Sequence, residues 1–151
     1  MLKSFIWSAA SVNSASGMPD SGVSDMNNNK IRQIVLSSGE VSSLTGVANT
    51  TSTLGTLDGV GSTAKFSGPH GITTDGTNLY VVDTNNHKIR QIVIATGVVS
   101  SVTGAVNVAS TAGATDGPGA MAKFYYPRGI TTDGINLYVV DRANNTIRKI
   151  E

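Results

Sequence analysis

The chain contains no cysteine. That removes disulfides, thiolate zinc sites and thiol catalysis from consideration, and it leaves the compartment open. Charge is scarce as well: 14% of the 151 residues are charged, and the formal net charge is +1. No basic excess is present to hold a nucleic acid or an anionic membrane, and no acidic tail to hold a basic partner. No apolar run approaches the roughly 18 residues of a membrane-spanning helix. There are two histidines, His70 and His87. A His-Glu zinc motif, a phosphate-cradling glycine loop and a Gly-x-Ser-x-Gly elbow are all missing, so catalysis finds little support. Lys and Glu are few, whereas Gly, Ser, Thr and Val are abundant. This is the composition of strands and tight turns.

What is there is a repeat. The stretch from Asp83 to Ile92 returns from Asp141 to Ile150, and it occurs earlier from Asp25 to Ile34; both offsets are 58 residues. Residues 36–93 and 94–151 align without a gap, and about 33 of those 58 positions are identical. A fixed period of this kind means one supersecondary unit used several times. Within the unit, Gly71 to Thr74 is a short β-prone run, and Asp75-Gly76-Thr77-Asn78 is a turn, because Asp-Gly is a strong hairpin signal. Leu79 to Val82, Lys88 to Ile94 and Val98 to Val102 complete an antiparallel four-stranded meander. Apolar residues do not recur at helical spacing anywhere.

Leu79-Tyr80-Val81-Val82 and Ile92-Val93-Ile94 do not alternate with polar residues. A sheet that is apolar on both faces needs cover on both faces. Radial stacking of four-stranded sheets supplies it, which is the β-propeller arrangement of typically four to eight blades.

The segment from Pro69 to Arg90 resembles an NHL repeat, and Pro127 to Arg148 resembles it almost as well; an earlier copy is recognisable from about Val23 to Ile34. The resemblance implies an all-β fold: a partial β-propeller of four-stranded antiparallel NHL-type blades, with about two and a half repeats of 58 residues. The expected organisation is a divergent N-terminal segment at residues 1–22, a partial blade at 23–46, a full blade at 70–104 after a long loop, and a partial blade at 128–151. The period is longer than is usual in the family, and the excess falls in Val47 to Gly68 and Ala105 to Tyr126. A closed ring of six such repeats needs on the order of 350 residues. The chain is therefore expected to be a piece of a longer protein, to self-associate through open terminal blades, or to stay open and be marginally stable.

In a propeller, the loop from the second to the third strand shares a face with the loop joining one blade to the next. His70 and Arg128 precede the innermost strands and are expected to rim the axial channel. The ligand-binding candidates are His70 and Arg128, then Asp83, Asn85 and His87 on one turn, and Asp141, Arg142 and Asn145 on its equivalent. Long loops, polar residues and variation between copies favour binding there, and freely drifting solvated loop tips are the competing reading. Asp83, Asn86 and their equivalents are expected to close turns, and Arg32, Arg90 and Arg148 to pair with neighbouring aspartates. Asp58-Gly59-Val60-Gly61 offers one carboxylate, far short of the six to eight oxygens of a calcium site, and is read as a plain turn. Phe66 and Phe124 are expected to pin the long loops by burial. Tyr125 and Tyr126 stand where the other copy has Ser67 and Gly68; they could stack a sugar or a base, or simply pack.

NHL propellers include RNA-binding domains, sensor domains and peptide-amidating lyases, so the resemblance implies fold far better than function. The lyases use histidine-bound metal, which two lone histidines do not reproduce, and RNA binding uses a strongly basic face. The expected function is a non-catalytic binding or scaffold module for a protein, peptide or glycan, with no metal, no cofactor and no nucleic acid. The alternatives are a fragment of a lyase- or lactonase-like enzyme whose metal site lies on missing blades, or a gene fragment without independent function. The Ser/Thr/Gly-rich composition resembles that of bacterial secreted repeat proteins and suggests an extracytoplasmic setting. Lys3 followed by Phe5 to Val12 has the outline of a short, serine-diluted signal peptide; the competing readings are a surface strand and a start codon placed inside a longer gene.

Overall fold

A computed structural model describes residues 8–12 and 20–151. Among these residues all regular structure is antiparallel strand or 3-10 turns of three residues each. The strands form three sheets that follow one another along the chain.

The first sheet runs in the order β1 (Ser8–Val12), β2 (Asp20–Asp25), β3 (Lys30–Val35) and β4 (Val41–Ser43). The expectation of a partial blade starting at residue 23 is corrected here, because β1 and the start of β2 lie in what reads as a divergent segment. Ser8-Ala9-Ala10-Ser11-Val12 takes the inner position by pairing with β2, although it lacks the Gly-Ile-Thr-Thr signature of the other copies. The signal-peptide reading rests in part on residues 1–7, which lie outside the described residues.

The second sheet contains β6 (Pro69–Thr74), β7 (Asn78–Asp83), β8 (Lys88–Val93) and β9 (Val98–Ser101). A short extra strand, β5 (Gly59–Val60), pairs with the outer edge of β9. Thus part of the excess in the 58-residue period covers a sheet edge that would otherwise present unpaired backbone groups. The third sheet has β10 (Ile130–Thr132), β11 (Leu137–Asp141) and β12 (Thr146–Ile150).

The missing alternation in β7 has the expected meaning. Successive side chains on a strand point to opposite faces. Leu79 and Val81 pack with Ile72, Ile92 and Val99 against Ile31 and Leu44 of the first blade. Val82 and Ile89 pack on the other side against Val139 and Ile130 of the third. The long loops close these two layers: Phe66 seals the first and Phe124 the second, both fully buried. Burial of a side chain this large contributes roughly 2–3 kcal/mol. Inner strands of neighbouring blades come close at Gly71, where a Cβ would fall 2.3 Å from the carbonyl oxygen of Arg128.

The strand-embedded arginines pair as expected. Arg90 lies over Phe66 at 4.8 Å and bonds Asp83 at 2.9 Å and Asp58 at 2.5 Å. Arg148 repeats this with Phe124, Asp141 and Asp116, and Arg32 pairs with Asp25 at 3.3 Å. The plain-turn reading of Asp58 is corrected: its carboxylate also accepts from the N–H and the hydroxyl of Ser101, so it ties the long loop to β9. Two lysines share another recurring role. Lys88 donates to the carbonyls of Ala105 and Val108, and Lys30 donates to those of Val47 and Thr50, each curling the start of a long loop around an ammonium group.

Candidate functional site

Each blade turns from its second to its third strand through an equivalent five-residue turn. Asp83 begins the turn, Thr84 to Asn86 form one 3-10 turn, and His87 adopts left-handed geometry. The left-handed position, with φ near 55° in all three copies, belongs to Asn29, His87 and Asn145, one residue past Asn28, Asn86 and Asn144. Asn86 instead donates its amide to Asp83 and to the carbonyl of Gly55, which brings the long loop onto this face.

The side chain at the left-handed position reaches the next blade. Asn29 Oδ1 accepts from the N–H of Gly68 at 3.0 Å, and His87 Nδ1 accepts from the N–H of Tyr126 at 3.1 Å. His87 therefore substitutes for an asparagine as an inter-blade acceptor, with its proton on Nε2. Burial holds its pKa below the usual histidine value. Its ring meets Tyr126 edge-on at 4.6 Å and Tyr125 at 5.9 Å, and the two tyrosines lie 5.3 Å apart. Both tyrosines are exposed. Tyr126 has φ 46°, where its equivalent Gly68 has φ 59°, so a bulky ring occupies a backbone position that glycine occupies with less strain.

Between these turns lies a cavity of about 490 Å³, to which Met26, Gly68, Asn85, Tyr126, Arg128 and Arg142 contribute along with His70. All three blades or their leading loops thus take part. The structure brings four of the eight candidates together here: His70, Asn85, Arg128 and Arg142. His70 is half-buried, and burial followed by the charge of Arg128 lowers its pKa. Arg128 and Arg142 are exposed and have no carboxylate partner among the described residues.

The other four candidates lie elsewhere. Asp83 and Asp141 are fully buried and held by Arg90 and Arg148. Burial pushes the Asp83 carboxyl up to about 6, while Arg90, the Ser67 N–H and Asn86 pull it back. His87 is engaged with Tyr126, and Asn145 is exposed without lining the cavity. Tyr126 and Met26 were not among the candidates. The exchange of Ser67-Gly68 for Tyr125-Tyr126 between copies was the available signal for the first; nothing in the chain marks Met26. Among the described residues no group of three or more His, Cys, Asp or Glu side chains comes together, and no helix is long and apolar enough to cross a membrane.

Antiparallel blades that pack face to face along the chain, with their second-to-third-strand turns around one cavity, define a β-propeller protein. The family model for the NHL repeat matches residues 66–92. The chain is 32% identical over 138 residues to NHL repeat-containing protein 2 of Bos taurus, a match that covers 85% of this chain and 18% of that protein. Among solved structures, a Bacteroides thetaiotaomicron VPI-5482 protein of unknown function matches at 31% identity and a TM-score of 0.72, over 87% of this chain and 32% of that one. An auxiliary nutrient binding protein from the same organism shares the fold at 24% identity and a TM-score of 0.72, over 87% of this chain and 34% of that one. The chain carries an NHL repeat and is similar to NHL-repeat β-propeller proteins. It spans 18% of the length of the curated relative from Bos taurus.

Proposed function

We propose that this chain is a non-catalytic binding module that presents the turn-bearing face of its blades to a protein, peptide or glycan. The observation that carries the reading is the shared cavity. His70, Asn85, Arg128 and Arg142 come from different blades and loops, yet they line one concavity of about 490 Å³, a size suited to a small or extended ligand. These are also positions where the copies differ: His70 is replaced by Arg128, and Asn85 by Ala143. The framework beneath them, by contrast, repeats its aspartate–arginine pairs in every copy. A constant scaffold under a variable concave face is the arrangement of a recognition surface. An extracytoplasmic setting accompanies the proposal, supported by the Ser/Thr/Gly-rich, Lys/Glu-poor composition.

The test is capture on glycan and peptide arrays by the full chain, compared with the variant His70→Ala/Arg128→Ala. The expected result is a set of ligands retained by the parent and lost by the double variant, with melting temperatures within a few degrees. Ligands held equally by both proteins would place recognition off this face.

A further inference from the structure

The lining of the cavity narrows its ligand to a chemical class, an inference that rests on the binding reading above. We infer that the cavity takes an acidic oligosaccharide, with carboxylates on Arg128 and Arg142 and a sugar ring against Tyr126.

The charge argument comes from how the arginines are used. Arg32, Arg90 and Arg148 each pair with at least one aspartate inside the framework. Arg128 and Arg142 pair with no carboxylate among the described residues, and both line the cavity, whose described lining contains no Asp or Glu. Two unpaired guanidiniums in a concavity of one sign attract an anion. The planar guanidinium fork matches a carboxylate through two parallel hydrogen bonds.

The remaining lining argues for a saccharide over an acidic peptide. Met26 is the one large aliphatic side chain among the lining residues, so a peptide's apolar side chains find little to fill. Amide side chains dominate instead. Asn27 and Asn85 are exposed and make no side-chain hydrogen bond among the described residues, which leaves their donors and acceptors for hydroxyl groups. The Tyr126 ring is already fixed by the His87 contact and by Tyr125, so a sugar face meets a preorganised surface and orders little on binding. The strained backbone at Tyr126 fits this role, because packing alone does not require a tyrosine where the equivalent copy has glycine.

The experiment is calorimetric titration of the full chain with tetragalacturonate, galactotetraose, hexaglutamate and a short uridine oligonucleotide. Tetragalacturonate is expected to bind at least tenfold tighter than any other probe, with affinity falling as salt rises. Arg128→Gln/Arg142→Gln is expected to weaken it at least tenfold. Tyr126→Gly, which restores the residue of the equivalent copy, is expected to weaken it several-fold while keeping the melting temperature. Equal binding of galactotetraose would overturn the acidic requirement. Preference for hexaglutamate or the oligonucleotide would overturn the saccharide, as would no binding of tetragalacturonate. None of these results touches the face itself, which fails only if the His70→Ala/Arg128→Ala variant keeps every ligand captured on the arrays.

Discussion

At the scale of single residues, the left-handed position shows how one backbone geometry recruits different side chains. Glycine visits this region readily, and asparagine, aspartate and histidine do so more often than other residues. His87 occupies it because Nδ1 performs the acceptor role that Asn29 Oδ1 performs one blade earlier. His87→Asn is therefore expected to preserve or slightly raise stability. His87→Leu loses the acceptor and strains the turn, and is expected to cost about 1–3 kcal/mol; urea unfolding of the two variants measures the difference. His70 gives a pH-dependent counterpart. Its folded pKa lies below the unfolded value, through burial and then through Arg128. The unfolded chain thus takes up the proton first. The contribution is fully present above the unfolded pKa of about 6.5 and is lost as pH falls through the folded value. Melting temperatures between pH 7.5 and 5.5 are expected to fall more for the parent than for His70→Gln.

At the scale of elements, the repeat made the strands legible. Asp-Gly turns, unalternating apolar runs and a constant offset were enough to place β6 to β12. The first strand was legible only as an isolated surface strand, and not as part of a blade, because Ser8 to Val12 carries no signature of the repeat; it joins the blade by pairing with β2. Of the candidate site, the residues beside the inner strands were readable from topology. The role of Asp58 was not, since its partners Arg90 and Ser101 lie 32 and 43 residues away. Asp83 and Asp141 stood among polar loop residues, and only three-dimensional burial shows that they serve the framework. The equivalent aspartates also differ in setting: the side chain of Asp58 is 16% exposed and that of Asp116 is 89% exposed. Asp58→Asn is accordingly expected to destabilise by about 2 kcal/mol or more, because it weakens the support of the buried Arg90. Asp116→Asn is expected to cost less than about 1 kcal/mol. Chemical denaturation of the pair separates the two cases.

At the scale of the whole molecule, the stack is unequally covered. Val82 and Ile89 are 0% exposed because the third blade lies on them, whereas their equivalents Val140 and Ile147 are 41% and 66% exposed. Isolated apolar residues on a surface need no explanation, but these two share a sheet face that is built to be sandwiched. Sedimentation velocity of the chain is expected to show association that rises with concentration. Val140→Lys/Ile147→Lys is expected to suppress it without loss of β circular dichroism. A parent that stays monomeric across the micromolar range would refute this.

The contact from Asn29 to Gly68, repeated from His87 to Tyr126, fastens each blade to its successor rather than to itself. Opening such a chain of neighbours is a cascade: a blade that peels away releases both its apolar layer and the latch that held the blade beside it. Repeat arrays behave in this way when most of their free energy resides in the joints. Protection against amide exchange should then follow position along the array more closely than local hydrogen bonding. The slowest protons are expected in β7 and β8, which lie between two joints, and the otherwise similar pairs of β11 and β12 should exchange first.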